Sequence, residues 1–354
     1  MLPTEPIGSI PRPPALLDAI AEWGSDDPRL EPLYDAAVRD TIREFEATGS
    51  PVVTDGEQRK YHNFWTYAVH GLANTAPDGF RIPFAAGHTR RMLRLTAGPF
   101  RYQRYADEYV AIARRHATVP VKQAIISPSA LSLMYPSDGI PGYSRDQFIE
   151  DLVAEHVTEI RRTFAAGAAT VQIDFTEGRL AVKLDPGGDL LHRFIDLNNL
   201  ALARLTAAER SRIGVHTCPG GDCDSTHSAD VDYADLLPSL LQLRAGHFYV
   251  ALAGEPDRVH ALKILRRYLQ PHQRVFVGVV APIDPRVETA DEVCDRVLEA
   301  AGHIPVGQLG TTDDCGFSPF SDDRSTSRET AFAKIQARVE GTRLAAAVLG
   351  HGVG

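Results

Sequence analysis

TVQIDFTEGRLAVKLDPGGDLLHRFIDLNNLALARLTAAERSRIGVH, residues 170–216, contains one full unit of the fold. A brief apolar run, Thr170–Asp174, leads through a stretch with apolar residues at three- and four-residue spacing, Leu190–Leu205, to a second brief apolar run, Ile213–His216. Runs this short and nearly free of charge are strands covered on both faces, and a helical crossover makes the pair parallel. The rhythm continues on both sides. Val121–Ile126, Phe248–Leu252, Val275–Val280 and Val306–Thr311 read as further strands, and Arg145–Ala165, Tyr233–Leu243, Pro256–Leu269, Ala290–Ala301 and Ser325–Leu349 as helices. Pro51–Thr54 and Pro6–Ile10 bring the strand count to eight, which predicts a closed (β/α)8 TIM barrel.

A length of 354 residues suggests two domains or one barrel with insertions. No linker, repeat or charge block divides the chain, so we read one barrel domain over residues 1–354. Between about 60 and 115 the rhythm breaks into aromatics and arginines, YHNFWTY and then RRMLRLTAGPFRYQRY, which predicts an inserted hairpin or cap over one barrel end. With 44% hydrophobic and 23% charged residues the chain is not disordered. Its net charge of −9 argues against a nucleic-acid partner, whose binding rests on Lys and Arg. No apolar run reaches the ~18–20 residues of a membrane span and no secretion signal opens the chain, so a cytoplasmic location without membrane contact is expected. Oligomeric state is not legible. Four cysteines are too few for a disulfide scaffold and read as thiols or metal ligands.

In a parallel barrel the chemistry gathers where strands end. Here those positions carry Asp55-Gly56-Glu57, Ser127-Pro128-Ser129, Asp174 followed by Glu177, His216-Thr217-Cys218, and Asp313-Asp314-Cys315-Gly316. His216 and Cys218 lie two apart, so on an extended strand end they point the same way and can reach one ion, while Cys315 belongs to the last strand, which closes beside the first. Imidazole with thiolates is a donor set that zinc prefers, and three protein ligands with one open position make a catalytic site. The plainer reading is that the cysteines pack as small hydrophobes and the histidine caps a loop. Cys223 is either a spare ligand or an incidental thiol, and Cys294 is packing. Glu57 and Asp174 form a carboxylate pair that either holds an ammonium group or pairs with Arg12 and Arg179. Trp65, Tyr61, Tyr67 and Tyr135 either stack on a flat heterocycle or pack. The Gly-rich turns at 186–188 and 219–221 do not follow a strand–GxGxxG–helix order, so a dinucleotide site is not expected.

Five of these segments, in order along nearly the whole chain, resemble the cobalamin-independent methionine synthases, in particular their catalytic C-terminal barrel and the shorter single-barrel relatives. Ile7-Gly8-Ser9-Ile10-Pro11 is similar to the family's I-G-S-F-P, Asp55-Gly56-Glu57 to H-G-E, Gln172-Ile173-Asp174 to Q-I-D-E-P, His216-Thr217-Cys218 to H-x-C, and Asp314-Cys315-Gly316 to P-D-C-G. The resemblance implies zinc held by His216, Cys218 and Cys315. It further implies a thiol such as homocysteine as methyl acceptor, and 5-methyltetrahydrofolate or a related donor. By the same carry-over Ser9 takes an amino-acid carboxylate, Glu57 and Asp174 take its ammonium, and Glu177 touches the pterin. Where the family places a fourth ligand on the next strand this chain has Ala251, and the nearest carboxylate is Glu255. Where the family carries a proton-delivering histidine, Ala281-Pro282-Ile283-Asp284-Pro285 offers Asp284. After Ser127-Pro128 the aromatic available to the pterin is Tyr135 in place of a tryptophan.

Other readings predict different behaviour. Keeping H-x-C and D-C-G without the extra Glu and His also fits zinc-dependent thiol alkyltransferases that use another electrophile, an epoxide or the reverse S-demethylation. A metal-free decarboxylase resembling uroporphyrinogen decarboxylase would have no use for the three ligands together. A zinc- or folate-binding relative without catalysis would bind stoichiometric zinc without thiol-dependent turnover.

Overall fold

A computed structural model describes residues 2–60 and 63–351; Tyr61 lies outside them. The short strands of the 60–115 region are β1 (Thr75–Ala76), β2 (Arg81–Pro83), β3 (Thr89–Arg91) and β4 (Arg94–Leu95). Six long-range parallel strands follow: β5 (Lys122–Ile126), β6 (Thr170–Asp174), β7 (Ile213–Thr217), then, past the small pair β8 (Gly221–Asp222) and β9 (Ser225–Thr226), β10 (His247–Val250), β11 (Arg274–Val280) and β12 (Leu309–Asp313). They lie side by side in chain order, β5-β6-β7-β10-β11-β12. Crossovers that never skip a neighbour are the signature of a singly wound barrel.

Two further segments close the ring. Val53 bridges Val121 in parallel and Thr4 bridges Thr311 in parallel. Lys122 N donates to Val53 O at 2.8 Å and Glu5 N donates to Thr311 O at 3.0 Å. Between these two segments, Thr54 Oγ1 donates to Gly8 O at 2.8 Å and Ile10 N donates to Gly56 O at 3.0 Å. The first segment therefore pairs at Thr4, just before the expected Pro6–Ile10, because Pro6 has no N–H to give a ladder. The last strand begins at Leu309 instead of Val306, since Val306–Gln308 form a 3₁₀ turn after Pro305.

The helices start where the sequence supplies caps. Ser144 with Gln147, Thr206 with Glu209 and Thr289 with Glu292 form reciprocal capping boxes, each satisfying two otherwise unpaired backbone donors. Arg145–Ala165 then buries Phe148, Leu152, Val153, Val157 and Ile160 along one face, the three- and four-residue spacing read from sequence. Strands β5, β7 and β12 are buried at every residue. No helix among the described residues is long and apolar enough to cross a membrane.

The 60–115 region forms two nested antiparallel pairs, β1 with β4 and β2 with β3. Its tip is tied to β8 and β9: Ala85 N donates to Thr226 O at 2.9 Å, and Arg90 reaches Asp222 at 2.6 Å and Asp322 at 2.8 Å. Near its base, Tyr67 donates to Glu159 at 2.7 Å on the buried face of Arg145–Ala165. Burial holds the Glu159 carboxyl up at about 7, against the pull of the Tyr67 hydroxyl and the Ala106 N–H. The folded chain therefore keeps a proton that the unfolded chain releases near pH 4.5, so stability from this group is present below that pH and lost as pH rises towards 7. The loss is on the order of 3 kcal/mol. Glu159→Gln, which keeps an acceptor for Tyr67, is expected to flatten the fall in melting temperature between pH 5 and 8; an unchanged slope would contradict this account.

Candidate active site

Strand register sets the floor of the site. Asp174 at the end of β6 is level with His216 on β7, and His216 is level with Tyr249 on β10. Asp174 Oδ1 lies 3.2 Å from His216 Nδ1, and His216 Nε2 lies 3.2 Å from Asp314 O. Burial lowers the His216 pKa, but the bond and charge of Asp174 outweigh it and leave the imidazole raised. Cys218, in the loop after β7, and Cys315, after β12, bring their Sγ atoms to 3.4 Å. That shared contact pushes the Cys218 thiol up and the Cys315 thiol down. The donor atoms of His216, Cys218 and Cys315 all lie within 4.8 Å of one another.

A second such group, His88, Asp222 and Cys223, sits under the hairpin. There Arg90 donates to both Asp222 oxygens, at 2.6 and 2.9 Å, so the carboxylate already has its cation. Cys223 is exposed; Cys294 is packed in the core, as expected.

A cavity opens above the His216 group. Ser9, Glu57, Asp174, Glu177, His216 and Cys315 line its floor, and Phe64, Trp65, Ile82, Phe84, Met92 and Phe320 line its walls. Glu57 is placed by an unusual turn: Gly56 and Glu57 both have positive φ, at 68° and 57°. A side chain at 56 would meet Thr41 Cγ2 at 2.6 Å, which restricts that position to glycine. Arg12 holds the turn by donating to the carbonyls of Glu57, Gln58 and Lys60. Lys60 Nζ then reaches Glu57 Oε1 at 2.6 Å and Ala124 O at 3.1 Å. Burial raises the Glu57 carboxyl to about 7; Lys60 opposes this and Asp174 adds to it. Glu177 Oε1 accepts from Ser127 at 2.5 Å and from Ser129, yet burial still raises it to about 7. Ser9 Oγ accepts from Ser318 N at 3.2 Å at the cavity edge.

The remaining expected residues lie elsewhere. Glu255 stands apart from the three clustered donors and pairs with Arg179 at 3.2 Å. Asp284 turns to its own loop, accepting from Arg286 N at 2.9 Å, with 43% of its side chain exposed. Tyr135 packs its ring on Phe148, 5.2 Å between centroids, and donates to Tyr143 O at 2.8 Å. Ser127 caps the helix Pro128–Ser132 while holding Glu177, and Tyr67 is in the core. Trp65 alone of the four aromatics singled out lines the cavity among the described residues.

Residues 2–341 match the family described as "Cobalamin-independent synthase, Catalytic domain". The chain belongs to this family. The 5-methyltetrahydropteroyltriglutamate–homocysteine methyltransferase of Nitratidesulfovibrio vulgaris is 24% identical over 322 residues, which cover 89% of this chain and 38% of that protein. The methionine synthase of Saccharolobus solfataricus is 22% identical over 353 residues, 97% of this chain and 95% of the relative. The chain thus spans well under half of the first relative and nearly all of the second. A B12-independent methionine synthase from Shewanella sp. W3-18-1, in complex with selenomethionine, has a TM-score of 0.72 at 19% identity, covering 99% of each chain. The barrel expected from the strand count is therefore the fold, and the family makes the chain an enzyme of the methyltransferase class.

Sequence reasoning missed Lys60 on Glu57 and the rings of Phe84 and Phe320. Lys60 is three residues from Glu57, a spacing that signals a pair only on a helix, and here the backbone is a left-handed turn.

Proposed function

We propose that this chain is a zinc-dependent methyltransferase that moves a methyl group from 5-methyltetrahydrofolate or a related donor to a thiol such as homocysteine, forming methionine or another thioether. It would act in the cytoplasm on small molecules, as one domain over 1–354 with residues 60–115 folded over the barrel mouth. The observation that carries this reading is the convergence of His216, Cys218 and Cys315 from two strand ends, with His216 and Cys315 lining a cavity.

The donor set fits zinc: one imidazole and two sulfurs, close together and largely buried, are ligands of the type zinc takes in open catalytic sites. Bound there, zinc would supply the means to hold an incoming thiol as its thiolate at neutral pH. Asp174 fixes the imidazole through Nδ1, and Nε2, 3.2 Å from Asp314 O, would give up that carbonyl to ligate. Apolar side chains wall the cavity around Cys315, and Ser9 offers a hydroxyl among the residues that line it. Glu255 remains a candidate fourth ligand only if it leaves Arg179, and Asp284 a proton donor only if its loop turns inward.

Elemental analysis of the purified protein tests this. About one zinc per chain, with a new sulfur neighbour at the zinc X-ray absorption edge on adding homocysteine, is the expected result. Zinc absent, or a zinc shell that ignores every thiol offered, would overturn it. Asp174→Asn is expected to keep the fold and weaken zinc by ~10–100-fold in chelator competition, since it loosens the ring behind the ligand.

A further inference from the structure

Among the described residues that line the cavity there is no lysine or arginine, although Glu57 and Asp174 both lie in its floor. The cation that meets this carboxyl pair comes from behind. Lys60, its side chain fully buried, sets Nζ 2.6 Å from Glu57 Oε1, donates to Ala124 O on β5 at 3.1 Å, and lies 4.9 Å from the centre of the Tyr67 ring. The turn enforces the contact: Lys60 N donates to Glu57 O at 3.1 Å, and Arg12 clamps the carbonyls of Glu57 and Lys60 at 2.6 and 3.1 Å. Engaged in this way and absent from the cavity lining, the Lys60 ammonium acts on a ligand only through Glu57.

Each carboxyl group has one oxygen taken by the protein. Glu57 Oε1 accepts from Lys60, while Asp174 Oδ1 accepts from Gln172 Nε2 at 2.7 Å and lies 3.2 Å from His216 Nδ1. Glu57 Oε2 and Asp174 Oδ2 take no hydrogen bond among the described residues. Two carboxylates in a site closed to water repel, and one of them takes up a proton unless a positive charge stands close. A protonated carboxyl presents a donor where an ammonium group needs an acceptor. Burial and Asp174 push Glu57 towards that neutral form, and Lys60 pulls it back.

We propose that Lys60 is a positioning residue for the thiol substrate, fixing the Glu57 carboxylate so that Glu57 Oε2 and Asp174 Oδ2 together accept from the ammonium group of an amino-acid thiol. This rests on the reading of the chain as a thiol methyltransferase. Lys60 thereby sets a preference for thiols that carry an ammonium group over thiols that do not, without touching either.

The test uses the full chain loaded with zinc, and compares homocysteine with its desamino analogue, which keeps the thiol and the carboxylate and lacks the ammonium. Affinity is read by calorimetry, and KM and kcat by methyl transfer. Lys60→Met, neutral and of similar length, is expected to weaken homocysteine by ~10–100-fold in Kd and KM, with zinc retained and with kcat and the affinity of the analogue changed by less than about threefold. Lys60→Arg, which keeps the charge, is expected to recover much of the loss. In a Glu57→Gln background Lys60→Met is expected to add nothing, because the two side chains act as one unit. A residue that only held the fold would weaken both thiols alike. Equal weakening of homocysteine and the analogue therefore overturns the proposal, as do additive losses in the double variant. Lys60→Gln, still able to donate to Ala124 O, is read against the same two thiols should Lys60→Met not fold. The thiol reading fails separately, by a zinc edge that ignores both thiols.

Discussion

Cys315→Ala and His216→Ala each lose zinc and thiol methylation together, by more than the ~10–100-fold expected when only a group behind a ligand is removed. The argument starts from position. Cys218 and Cys315 come from the ends of β7 and β12, strands separated in the sheet by β10 and β11, and still their sulfurs lie 3.4 Å apart. Removing either sulfur leaves two donors, too few for an ion that takes four ligands. Cys223→Ser is the control. It belongs to the other group of donors, where Arg90 already neutralises Asp222. Zinc retained by the Cys315 and His216 variants but lost from the Cys223 variant would move the metal under the hairpin and break the link to the cavity. Activity retained in metal-free protein would break it too.

The residues of this site were legible to different degrees, and the differences have physical causes. His216, Cys218, Cys315 and Asp174 stood out because strands buried on both faces are almost free of polar atoms, so ionisable side chains at their ends are conspicuous. Closure of the barrel was harder to see. The segments at Thr4 and Val53 contribute single bridges, and side-chain bonds such as Thr54 to Gly8 O complete the ring. Glu255 looked like a ligand because it is the nearest carboxylate beyond β10, but a fully buried guanidinium, Arg179, draws it away. Tyr135 is aromatic and close in sequence to Ser127, yet its hydroxyl finds Tyr143 O and its ring finds Phe148. Phe84 and Phe320 could not be paired in advance, because one comes from the inserted hairpin and the other from the last loop, and nothing local encodes their meeting.

Asp314→Ala is expected to cost about 3–9 kcal/mol of stability and to weaken zinc as well, although Asp314 is not a ligand. Its Oδ1 accepts from Leu252 N and Ala253 N, both at 2.7 Å, and its Oδ2 from Gly254 N at 2.7 Å. One carboxylate thus ties the loop after β10 to the end of β12, across β11. The passage is tight: a Cβ at Gly278 would meet Asp314 Oδ1 at 1.8 Å, so only glycine on β11 lets the side chain through. Burial raises the Asp314 carboxyl while the three N–H groups hold it down. Alanine leaves all three donors without an acceptor, each costing ~1–3 kcal/mol, and a fall in melting temperature of roughly 5–10 °C follows. The backbone of the same residue carries the carbonyl facing His216 Nε2 and leads directly into Cys315, so loosening it spreads two ligands. Asp314→Asn separates the two effects. With the amide oxygen in place of Oδ1 it still serves Leu252 and Ala253 and fails only Gly254, so it should lie between wild type and alanine in melting temperature while keeping most zinc. Equal melting temperatures for alanine and wild type would show that the loop after β10 is held by packing, and would leave the alignment of Cys315 without its support.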